Sequence, residues 1–382
     1  MNVLFCVRHN FYTAAGGAYV QIMQTMEKLR ALDVNCDIVL DPSNVKFRDY
    51  DIIHLTDLTF TYDLQAYLQE IDAQNFQGSL VLSTIYWPFD DYAENGAPFI
   101  QRMLFRIFGL SGIHRAKSLA KWIMQRNRIY LNGVFSNYVE IQKNIISRVD
   151  LLLPNSHLEM QALSGRLELD TYNYSVAYNA IDVPYFEAIK ERIKVKKNPN
   201  LITFVARIDA RKNQIGFLQA MMETHHTIRF VGGVGVNAKA YYNELKKLAS
   251  ERGNVEFIPH STQDEVFAHM LESKVNVLTS WIETPGLVSL EAAYAGCNIV
   301  VSDKGSVREY FRDYAYYCDP SDNDSVREAV LKAVDADFDE GFIDLIKMSF
   351  SWEKTADATL AAYLEIFNSK NGGKRLSKTN IV

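Results

Sequence analysis

The chain has 382 residues, of which 48% are hydrophobic and 23% charged, and its formal net charge is −6. This composition is typical of a folded protein long enough for two domains, and it excludes an intrinsically disordered chain. The acidic balance argues against a nucleic-acid binder. The four cysteines (Cys6, Cys36, Cys297 and Cys318) are scattered, so neither a zinc site nor a disulfide framework is predicted, and free thiols favour the cytosol.

In the first half of the chain, short apolar runs alternate with helical patterns. The first run, MNVLFCVRHN, lacks the basic segment and cleavage site of a signal peptide. A helical period covers Tyr19–Leu32, and the strand candidates are Val3–Val7, Cys36–Leu40, Asp51–Leu55, Ser79–Ile85, Leu151–Pro154 and Ser175–Ala177. This alternation predicts a parallel sheet covered by helices. No apolar stretch is long enough to span a bilayer, so any membrane contact is expected to be peripheral.

One segment, residues 101–148, interrupts this pattern, and we interpret it as helices inserted between strands of the first domain. It is rich in apolar and aromatic residues and contains the single acid Glu140 beside nine basic residues: Arg102, Arg106, Arg115, Lys117, Lys121, Arg126, Arg128, Lys143 and Arg148. One interpretation is a surface for an acceptor or for the anionic inner leaflet of a membrane. The other is an ordinary insertion with apolar residues in the core and charges in water.

The strand–helix pattern restarts after the polar stretch Lys190–Asn200, which we interpret as a linker. The strand candidates are Leu201–Ala206, Ile228–Val231, Val255–Ile258, Val275–Leu278, Asn298–Val301 and Ala315–Cys318, and the helical segments are Ile215–Met222, Asn237–Ser250 and Trp352–Phe367. We therefore expect one domain at residues 1–190, joined by the helix at 352–367, and a second at residues 200–350. The tail after this helix, with Gly372-Gly373, is expected to be disordered.

The strongest motif is Glu283-Thr-Pro-Gly-Leu-Val-Ser-Leu-Glu291, directly after a strand candidate. Thr284 is a good N-cap and Pro285 a good first helical residue, so a helix is expected to begin at Pro285 and to end before Gly296.

The start of that helix is a candidate anion site. The N–H groups of Gly286, Leu287 and Val288 lack intrahelical partners, and they favour a phosphate together with the helix dipole. Glu283 lies just outside the helix, and Glu291 lies about two turns inside, where a carboxylate can accept hydrogen bonds from a diol. The alternative interpretation is a capped amphipathic helix with two ordinary surface acids.

Two further loops follow strand candidates. Arg207 comes at the carboxyl end of Leu201–Ala206, and Lys212 follows it in the same loop. Two cations at this place suit a bound diphosphate, and the alternative interpretation is a solvated basic loop. Gly232-Gly233-Val-Gly235 resembles a dinucleotide fingerprint but lacks its last glycine, because Ala238 stands there. A plain tight turn explains this loop equally well.

Together these residues resemble the large retaining glycosyltransferase family of the GT-B superfamily (glycosyl transferases group 1, family 4 type). The E-x7-E motif of that family corresponds to Glu283 and Glu291, and its basic pair corresponds to Arg207 and Lys212. Ala206 replaces the usual glycine before the basic pair.

Weaker similarities extend along the rest of the chain. Gly17 matches the glycine of the family's N-terminal loop, and Ser349–Ala356 resembles the start of its final helix. The resemblance implies two Rossmann-like domains facing across a cleft, with this helix crossing back to the N-terminal domain.

The resemblance also implies roles for these residues. Glu291 holds the ribose, Glu283 holds the donor sugar, and Arg207 and Lys212 stabilise the leaving diphosphate together with the helix N–H groups. Gly17 and Gly233 contribute to donor binding, and the backbone around Pro259 holds the base. The family retains anomeric configuration, and no metal or other cofactor is expected.

One position departs from the family. A histidine usually follows the fourth N-terminal strand, near the sugar, whereas Tyr86 is the nearest residue here, which leaves the identity of the donor open. Other acceptor or sugar candidates are Trp87, Asp90 and His54, although a histidine at a strand end is more often structural. Tyr62, Asp91 and Glu94 lie in neighbouring predicted loops.

The resemblance therefore implies a cytoplasmic hexosyltransferase that uses a nucleotide sugar and a glycan or lipid-linked glycan acceptor, as in bacterial surface polysaccharide assembly. An inverting transferase, a phosphorylase, an epimerase and a non-catalytic sugar-nucleotide-binding protein remain alternatives. A dehydrogenase is disfavoured because the full GxGxxG pattern is missing.

Overall fold

The computed structural model describes residues 1–13, 16–125, 137–259 and 261–370. The chain forms two compact units. Unit 1 contains Met1–Pro88, Met103–Asn179 and the residues from Trp352 onward, and unit 2 contains Phe89–Arg102 and Ala180–Ser351. The expected boundary at residues 190–200 is therefore displaced, because the polar stretch Lys190–Asn200 lies inside unit 2.

Unit 1 is built on a parallel five-stranded sheet with the order β2-β1-β3-β4-β5. Its strands are β1 (Asn2–Cys6), β2 (Asn35–Val39), β3 (Ile52–Thr56), β4 (Ser79–Ser83) and β5 (Leu151–Leu153). The prediction of a strand at Ser175–Ala177 is wrong. The chain there makes an isolated bridge between Tyr174 and Leu152, and the N–H groups of Ser175 and Ala177 donate to Leu152 O and Pro154 O without forming a regular strand.

Helices cover both faces of this sheet. With helices numbered along the whole chain, the helices that lie wholly in unit 1 are α1 (Gly17–Arg30), α2 (Thr61–Ala73), α4 (Tyr138–Ile146), α5 (His157–Leu167) and α14 (Trp352–Lys370), whereas α3 (Phe99–Gln125) begins in unit 2 and continues in unit 1. The helices α3 and α4 overlap the predicted helical insertion at residues 101–148, and α3 is interrupted at Gly109, which has φ 61°. Arg126 and Arg128 lie outside the described residues, as does the tail from residue 371.

The unit 1 core has two apolar layers, because successive side chains of a strand point to opposite faces of a sheet. Val3 and Phe5 pack on one face, with α1 and α14, whereas Leu4 and Cys6 pack on the other. His54 of β3 is buried in this core. Its Nδ1 lies 2.5 Å from the Tyr363 hydroxyl of α14, and its Nε2 lies 2.7 Å from Ser83 Oγ of β4.

Unit 2 contains a parallel six-stranded sheet with the order β11-β10-β9-β6-β7-β8. Its strands are β6 (Asn198–Val205), β7 (Thr227–Val231), β8 (Val255–Ile258), β9 (Ser273–Leu278), β10 (Asn298–Ser302) and β11 (Ala315–Cys318). Each strand that was predicted in this half of the chain is confirmed, with end shifts of a few residues. The order reverses between β6 and β9, and such a switch point is where open parallel sheets bind ligands.

The helices of unit 2 are α6 (Val183–Arg192), α7 (Gln214–Ala220), α8 (Lys239–Arg252), α9 (Gln263–Glu272), α10 (Leu287–Tyr294), α11 (Val307–Phe311), α12 (Asn323–Asp335) and α13 (Gly341–Ser349). Buried polar groups join the central strands β6 and β9. Asn276 Nδ2 donates to Thr203 Oγ1 at 3.2 Å, and Ser273 Oγ donates to Leu201 O at 3.0 Å. No helix within the described ranges combines the length and apolar character that crossing a membrane requires.

The buried His54 predicts a specific pH dependence of stability. Burial lowers the pKa of His54 to about 3, so the folded protein takes up no proton there, whereas the unfolded chain does so below about pH 6.5. Between pH 7 and pH 5 the wild type should lose about 2 kcal/mol of unfolding free energy relative to His54→Gln. Urea unfolding at both pH values measures this difference. Tyr363→Phe retains the histidine and should keep the wild-type pH dependence; equal pH dependence in all three proteins would contradict the assignment.

Candidate functional site

The first part of the site follows β6. Asp209 begins a short 3-10 helix, Ala210–Lys212, by accepting a hydrogen bond from the Arg211 N–H at 3.1 Å. The other carboxylate oxygen of Asp209 accepts from Arg207 Nε at 3.1 Å. The side chain of Arg207 is 55% exposed, so this pair steers the guanidinium while leaving it open to solvent. Arg207 was predicted from the sequence and Asp209 was not, although its position before a short polar turn could have indicated it.

Lys212 and Glu283 form the centre of the site. Lys212 Nζ lies 2.6 Å from Glu283 Oε2, and the two side chains are only 16% and 15% exposed. The pair joins the loop after β6 to the loop after β9, at the switch point of the sheet. The structure therefore brings together two of the three predicted catalytic residues, which are 71 positions apart in the chain.

The site helix begins later than predicted. Gly286 has φ 88° and is the N-cap of α10, so the first helical residue is Leu287 and not Pro285. The Thr284–Pro285 peptide is cis, and Thr284 is not the cap. A backbone with φ 88° cannot continue a right-handed helix, which explains the difference. The N–H groups of Leu287 and Val288 still lie in the first turn, where they have no i−4 carbonyl to bind.

Glu291 lies on α10, one turn beyond these N–H groups. Its side chain is half-buried, and burial raises its pKa to about 8. Tyr185 of α6 is close enough for the Glu291 charge to act on its phenol, and its hydroxyl donates to Asp264 Oδ1 at 2.5 Å. The raised pKa means that Glu291 holds its proton at higher pH than an exposed glutamate does. Neither Tyr185 nor Asp264 was predicted as a site residue, because no motif of the sequence includes them.

The opposite end of α10 is capped by two lysines from the stretch that was expected to be a linker. Lys197 Nζ donates to Ala295 O at 3.2 Å, to Gly296 O at 2.9 Å and to Ser273 O at 3.0 Å. Lys190 Nζ donates to Tyr294 O at 3.1 Å. Cations at the carboxyl end of a helix satisfy its last carbonyls and stabilise its dipole. Gly296, which follows the last turn with φ 78°, ends the helix as predicted.

The loop after β10 presses against the backbone of Glu283. Ser306 N–H donates to Glu283 O at 3.2 Å, and a Cβ at Gly305 would lie 1.7 Å from that oxygen. Gly305 also has φ 84°, so two independent constraints require glycine. This loop fixes the backbone that carries the central carboxylate.

The glycine loop after β7 has a packing role. Gly232 has φ 142°, and a Cβ there would lie 2.2 Å from Ala206 O. Gly233 O accepts from the Ile208 N–H at 2.9 Å. These contacts fit the tight-turn interpretation. Pro259 is exposed just beyond β8, and His260 lies outside the described residues, so the predicted base contact stays a prediction.

Segment 89–102 also belongs to unit 2. Asp91 Oδ2 lies 2.6 Å from Lys304 Nζ, in the loop that touches Glu283. A Cβ at Gly96 would lie 2.5 Å from the Trp281 ring, so these two groups are packed closely. Asp90, a predicted acceptor candidate, lies in this segment and is half-buried. The segment lines a cavity of about 930 Å³ together with α7, α8 and Trp281.

The remaining predicted residues lie in unit 1. Tyr86 is only 5% exposed and His54 only 1%, so neither fits the expected role as a sugar ligand. Trp87 is partly exposed directly after Tyr86. Gly17 is the first residue of α1, preceded by the N-cap Gly16. Tyr62 is engaged by α3, because its hydroxyl lies 2.8 Å from His114 Nε2.

In the part of the chain that the structure describes, no group of three or more His, Cys, Asp or Glu side chains is placed to hold a metal ion. The expectation of a metal-free reaction stays a prediction. The four cysteines are buried free thiols.

Comparison with protein families places the site in a known domain. Residues 186–341 match the model described as "Glycosyl transferases group 1", so this part of the chain is a glycosyl transferase domain of that group. The matched range contains each of the predicted catalytic residues. The glycosyltransferase prediction is confirmed at this level.

Curated relatives agree with the domain assignment. The chain is similar to proteins named D-inositol 3-phosphate glycosyltransferase from Nocardioides sp., at 23% identity over 252 residues, and from Mycolicibacterium vanbaalenii, at 25% over 245 residues. These alignments cover 58% of this chain and 55% and 54% of the relatives. The chain thus spans about half the length of the curated relatives it matches.

Solved structures confirm the predicted GT-B fold. A sucrose-phosphate synthase from Thermosynechococcus elongatus superposes with a TM-score of 0.71 at 15% identity, covering 97% of this chain and 100% of that protein. Anabaena HepE in complex with UDP and glucose gives a TM-score of 0.64 at 14% identity, covering 96% and 99%. A glycosyltransferase from Rickettsia africae gives 0.63 at 12% identity, covering 98% and 99%.

Proposed function

We propose that this protein is a retaining glycosyltransferase of the family 4 type, which moves a hexosyl group from a nucleotide-diphosphate sugar to a glycan or lipid-linked glycan. The observation that carries the proposal is the Lys212–Glu283 pair beside the first turn of α10, at the switch point of the unit 2 sheet. The alternative interpretations, a solvated basic loop after β6 and a capped helix with ordinary surface acids, do not account for a largely buried ion pair between Lys212 and Glu283.

The donor diphosphate binds between the loop after β6 and the start of α10. Arg207 offers a forked, exposed guanidinium, Lys212 a compact charge, and Leu287 and Val288 two N–H groups at the positive end of a helix. Negative charge grows on the diphosphate as the glycosidic bond breaks. Donors that are already oriented stabilise that charge without reorganisation, which lowers the barrier.

Glu283 holds hydroxyls of the donor sugar. Its carboxylate lies 2.6 Å from Lys212 Nζ and balances the charge of that lysine. When the diphosphate binds, Lys212 interacts with both anions, and the free lone pairs of Glu283 accept bonds from the sugar. The pair thereby sets the distance between the phosphate and the sugar.

Glu291 binds the ribose diol of the nucleotide. A carboxylate accepts two hydroxyl bonds, whereas a protonated carboxyl accepts fewer, so the ribose favours the charged form. HepE, which has the same fold, forms complexes with UDP and UDP-glucose, and this makes uracil nucleotides the first donors to test.

Transfer proceeds with retention, by front-face attack of the acceptor hydroxyl while an oxygen of the departing diphosphate accepts its proton. The E-x7-E motif and the group 1 domain support this mechanism. The acceptor we propose is a surface-polysaccharide intermediate at the cytoplasmic face of a bacterial membrane. A phosphorylated polyol is the second candidate, because the curated relatives are named for D-inositol 3-phosphate.

A donor and product screen tests the proposal. UDP, GDP and ADP are compared by thermal shift, and their sugars by slow hydrolysis. Saturation at a hundredfold excess over Kd stabilises the protein by about 2.7 kcal/mol. One nucleotide should raise the melting temperature of the wild type and not that of Glu291→Ala. NMR of the first-formed product should show that it keeps the anomeric configuration of the donor. A product with inverted configuration would refute retention. A melting temperature that no nucleotide changes would refute the proposed donor site.

The raised pKa of Glu291 gives a second prediction. At pH 7 most molecules carry a proton on Glu291, and binding of UDP converts this group to the carboxylate, so close to one proton should be released. Titration calorimetry in phosphate and in Tris measures the number of protons from the difference in buffer ionisation enthalpy. Glu291→Gln should lose this release while keeping part of the affinity. Equal proton release by the variant would assign the proton to another group.

We further propose that α3 docks on an anionic membrane surface. Among the side chains that the structure describes between Met103 and Ile123, six large apolar ones are exposed: Met103, Leu104, Ile107, Phe108, Leu119 and Ile123. Arg106 and Arg115 are exposed on the same helix. Apolar insertion beside basic residues is the pattern of interfacial helices, and each basic group near anionic lipid contributes about 1 kcal/mol.

Liposome flotation measures this docking. Vesicles with about 30% phosphatidylglycerol should float the wild type, and neutral vesicles should not. Neutralising Arg115, Lys117 and Lys121 should weaken binding by tenfold or more, on the order of the three lost contributions. A matched triple variant, Lys246→Gln, Lys247→Gln and Lys332→Gln, removes the same charge from unit 2 and should still float. Equal losses in both variants would assign binding to net charge alone.

A further inference from the structure

A buried carboxylate in unit 1 lies beside the end of β4, where the chain continues to the predicted sugar-binding residues Tyr86 and Trp87. Glu159, on α5, is fully buried. Its Oε1 accepts hydrogen bonds from Thr84 Oγ1 and, at 2.9 Å, from the Tyr86 N–H. Its Oε2 accepts from the Asn155 N–H at 3.1 Å. These donors are neutral, and burial raises the pKa of Glu159 to about 7.

The residue between two of these donors has an unusual backbone. Ile85 has φ 42°, in the left-handed region that β-branched residues rarely adopt. Such a conformation persists only where surrounding bonds hold it, and these sites often serve function. The carboxylate of Glu159 binds the residue before Ile85 and the residue after it. These hydrogen bonds of Glu159, which we call the clamp, therefore hold Ile85 in its strained conformation from both sides.

The clamp also fixes the direction of the chain beyond β4. Tyr86 is buried, so it anchors the loop, and Trp87 follows as the first partly exposed aromatic at the carboxyl end of β4. An indole ring offers a flat apolar face and one N–H donor, which suits a sugar ring. Because Trp87 is one residue from the bonded Tyr86 N–H, loss of the clamp changes where the ring points.

We infer that Glu159 is a positioning residue that clamps the strained loop Thr84–Trp87 and so presents Trp87 to the sugar acceptor. The inference rests on the proposed glycosyltransferase function for the identity of the ligand. The positioning itself is a property of unit 1 and is measurable without any substrate.

The test compares four variants of the full chain. Glu159→Ala removes all three accepted bonds. Glu159→Gln keeps one oxygen for Thr84 and Tyr86, so it should act as a rescue. Leu163→Ala, on the same helix and equally buried, is the control for lost stability that leaves the clamp intact. Thr84→Val removes a single bond and serves if the alanine variant does not fold.

The first readouts are local. In protein labelled with 5-fluorotryptophan, Trp87→Phe assigns one of the four tryptophan signals. The Trp87 signal should be single in the wild type, Glu159→Gln and Leu163→Ala, and shifted or split in Glu159→Ala and, more weakly, in Thr84→Val. Hydrogen exchange of the Tyr86 amide should be about 100-fold faster in the alanine variant than in the leucine control. Unchanged signals and exchange in Glu159→Ala would overturn the inference.

The second readout separates positioning from folding and from donor chemistry. With UDP-glucose as donor and octyl β-D-glucoside as the probe acceptor, Glu159→Ala should raise the acceptor KM about tenfold and leave UDP-glucose hydrolysis unchanged. The same KM rise in Leu163→Ala would reduce Glu159 to a structural role. A wild type that binds no nucleotide and hydrolyses no donor would refute the proposed function, while the fluorine and exchange measurements still decide the clamp.

Discussion

The carboxyl ends of β6 and β9 lie side by side because these two strands are neighbours at the centre of the unit 2 sheet. Everything in the candidate donor site depends on that pairing. It brings Lys212 within 2.6 Å of Glu283, and it places the first turn of α10 next to both. Buried hydrogen bonds between the paired residues Thr203 and Asn276 fix the alignment of the two strands at this position, since a slip would leave these polar groups unsatisfied in the core.

Around this centre the backbone is fixed from several sides. Gly232 lets the loop after β7 touch the end of β6, and Gly305 lets the loop after β10 touch Glu283. The two lysines at the far end of α10 satisfy its last carbonyls. A site of this kind holds its charges in place before any ligand arrives, which is the condition for electrostatic stabilisation of a transition state.

Sequence patterns predicted much of this arrangement for physical reasons that can be named. Parallel strands buried on both faces read as continuous apolar runs, so β6 to β11 were identifiable, and the E-x7-E spacing identified the acids of α10. Three features depend on tertiary contacts and left no local pattern. Gly286 takes a left-handed conformation, Tyr86 turns into the core, and Lys190 and Lys197 reach a helix that is about 100 residues away. The polarity of Lys190–Asn200 suggested a linker, because the sequence does not show that the ammonium groups of the two lysines bind backbone carbonyls at the end of α10.

The path of the chain has a consequence for dissecting this protein. The backbone passes from one unit to the other at Pro88, at Arg102, at Asn179 and at Ser351. A fragment that begins at Ala180 and ends at Ser351 therefore omits residues 89–102, and with them Asp91 and Gly96, the neighbours of Lys304 and Trp281. In a chimera made by joining the N-terminal half of one homologue to the C-terminal half of another, residues 89–102 come from a different homologue than the rest of unit 2. Recombination of this fold has to exchange the short segment together with the long one, so that the loops of unit 2 stay with their packing partners.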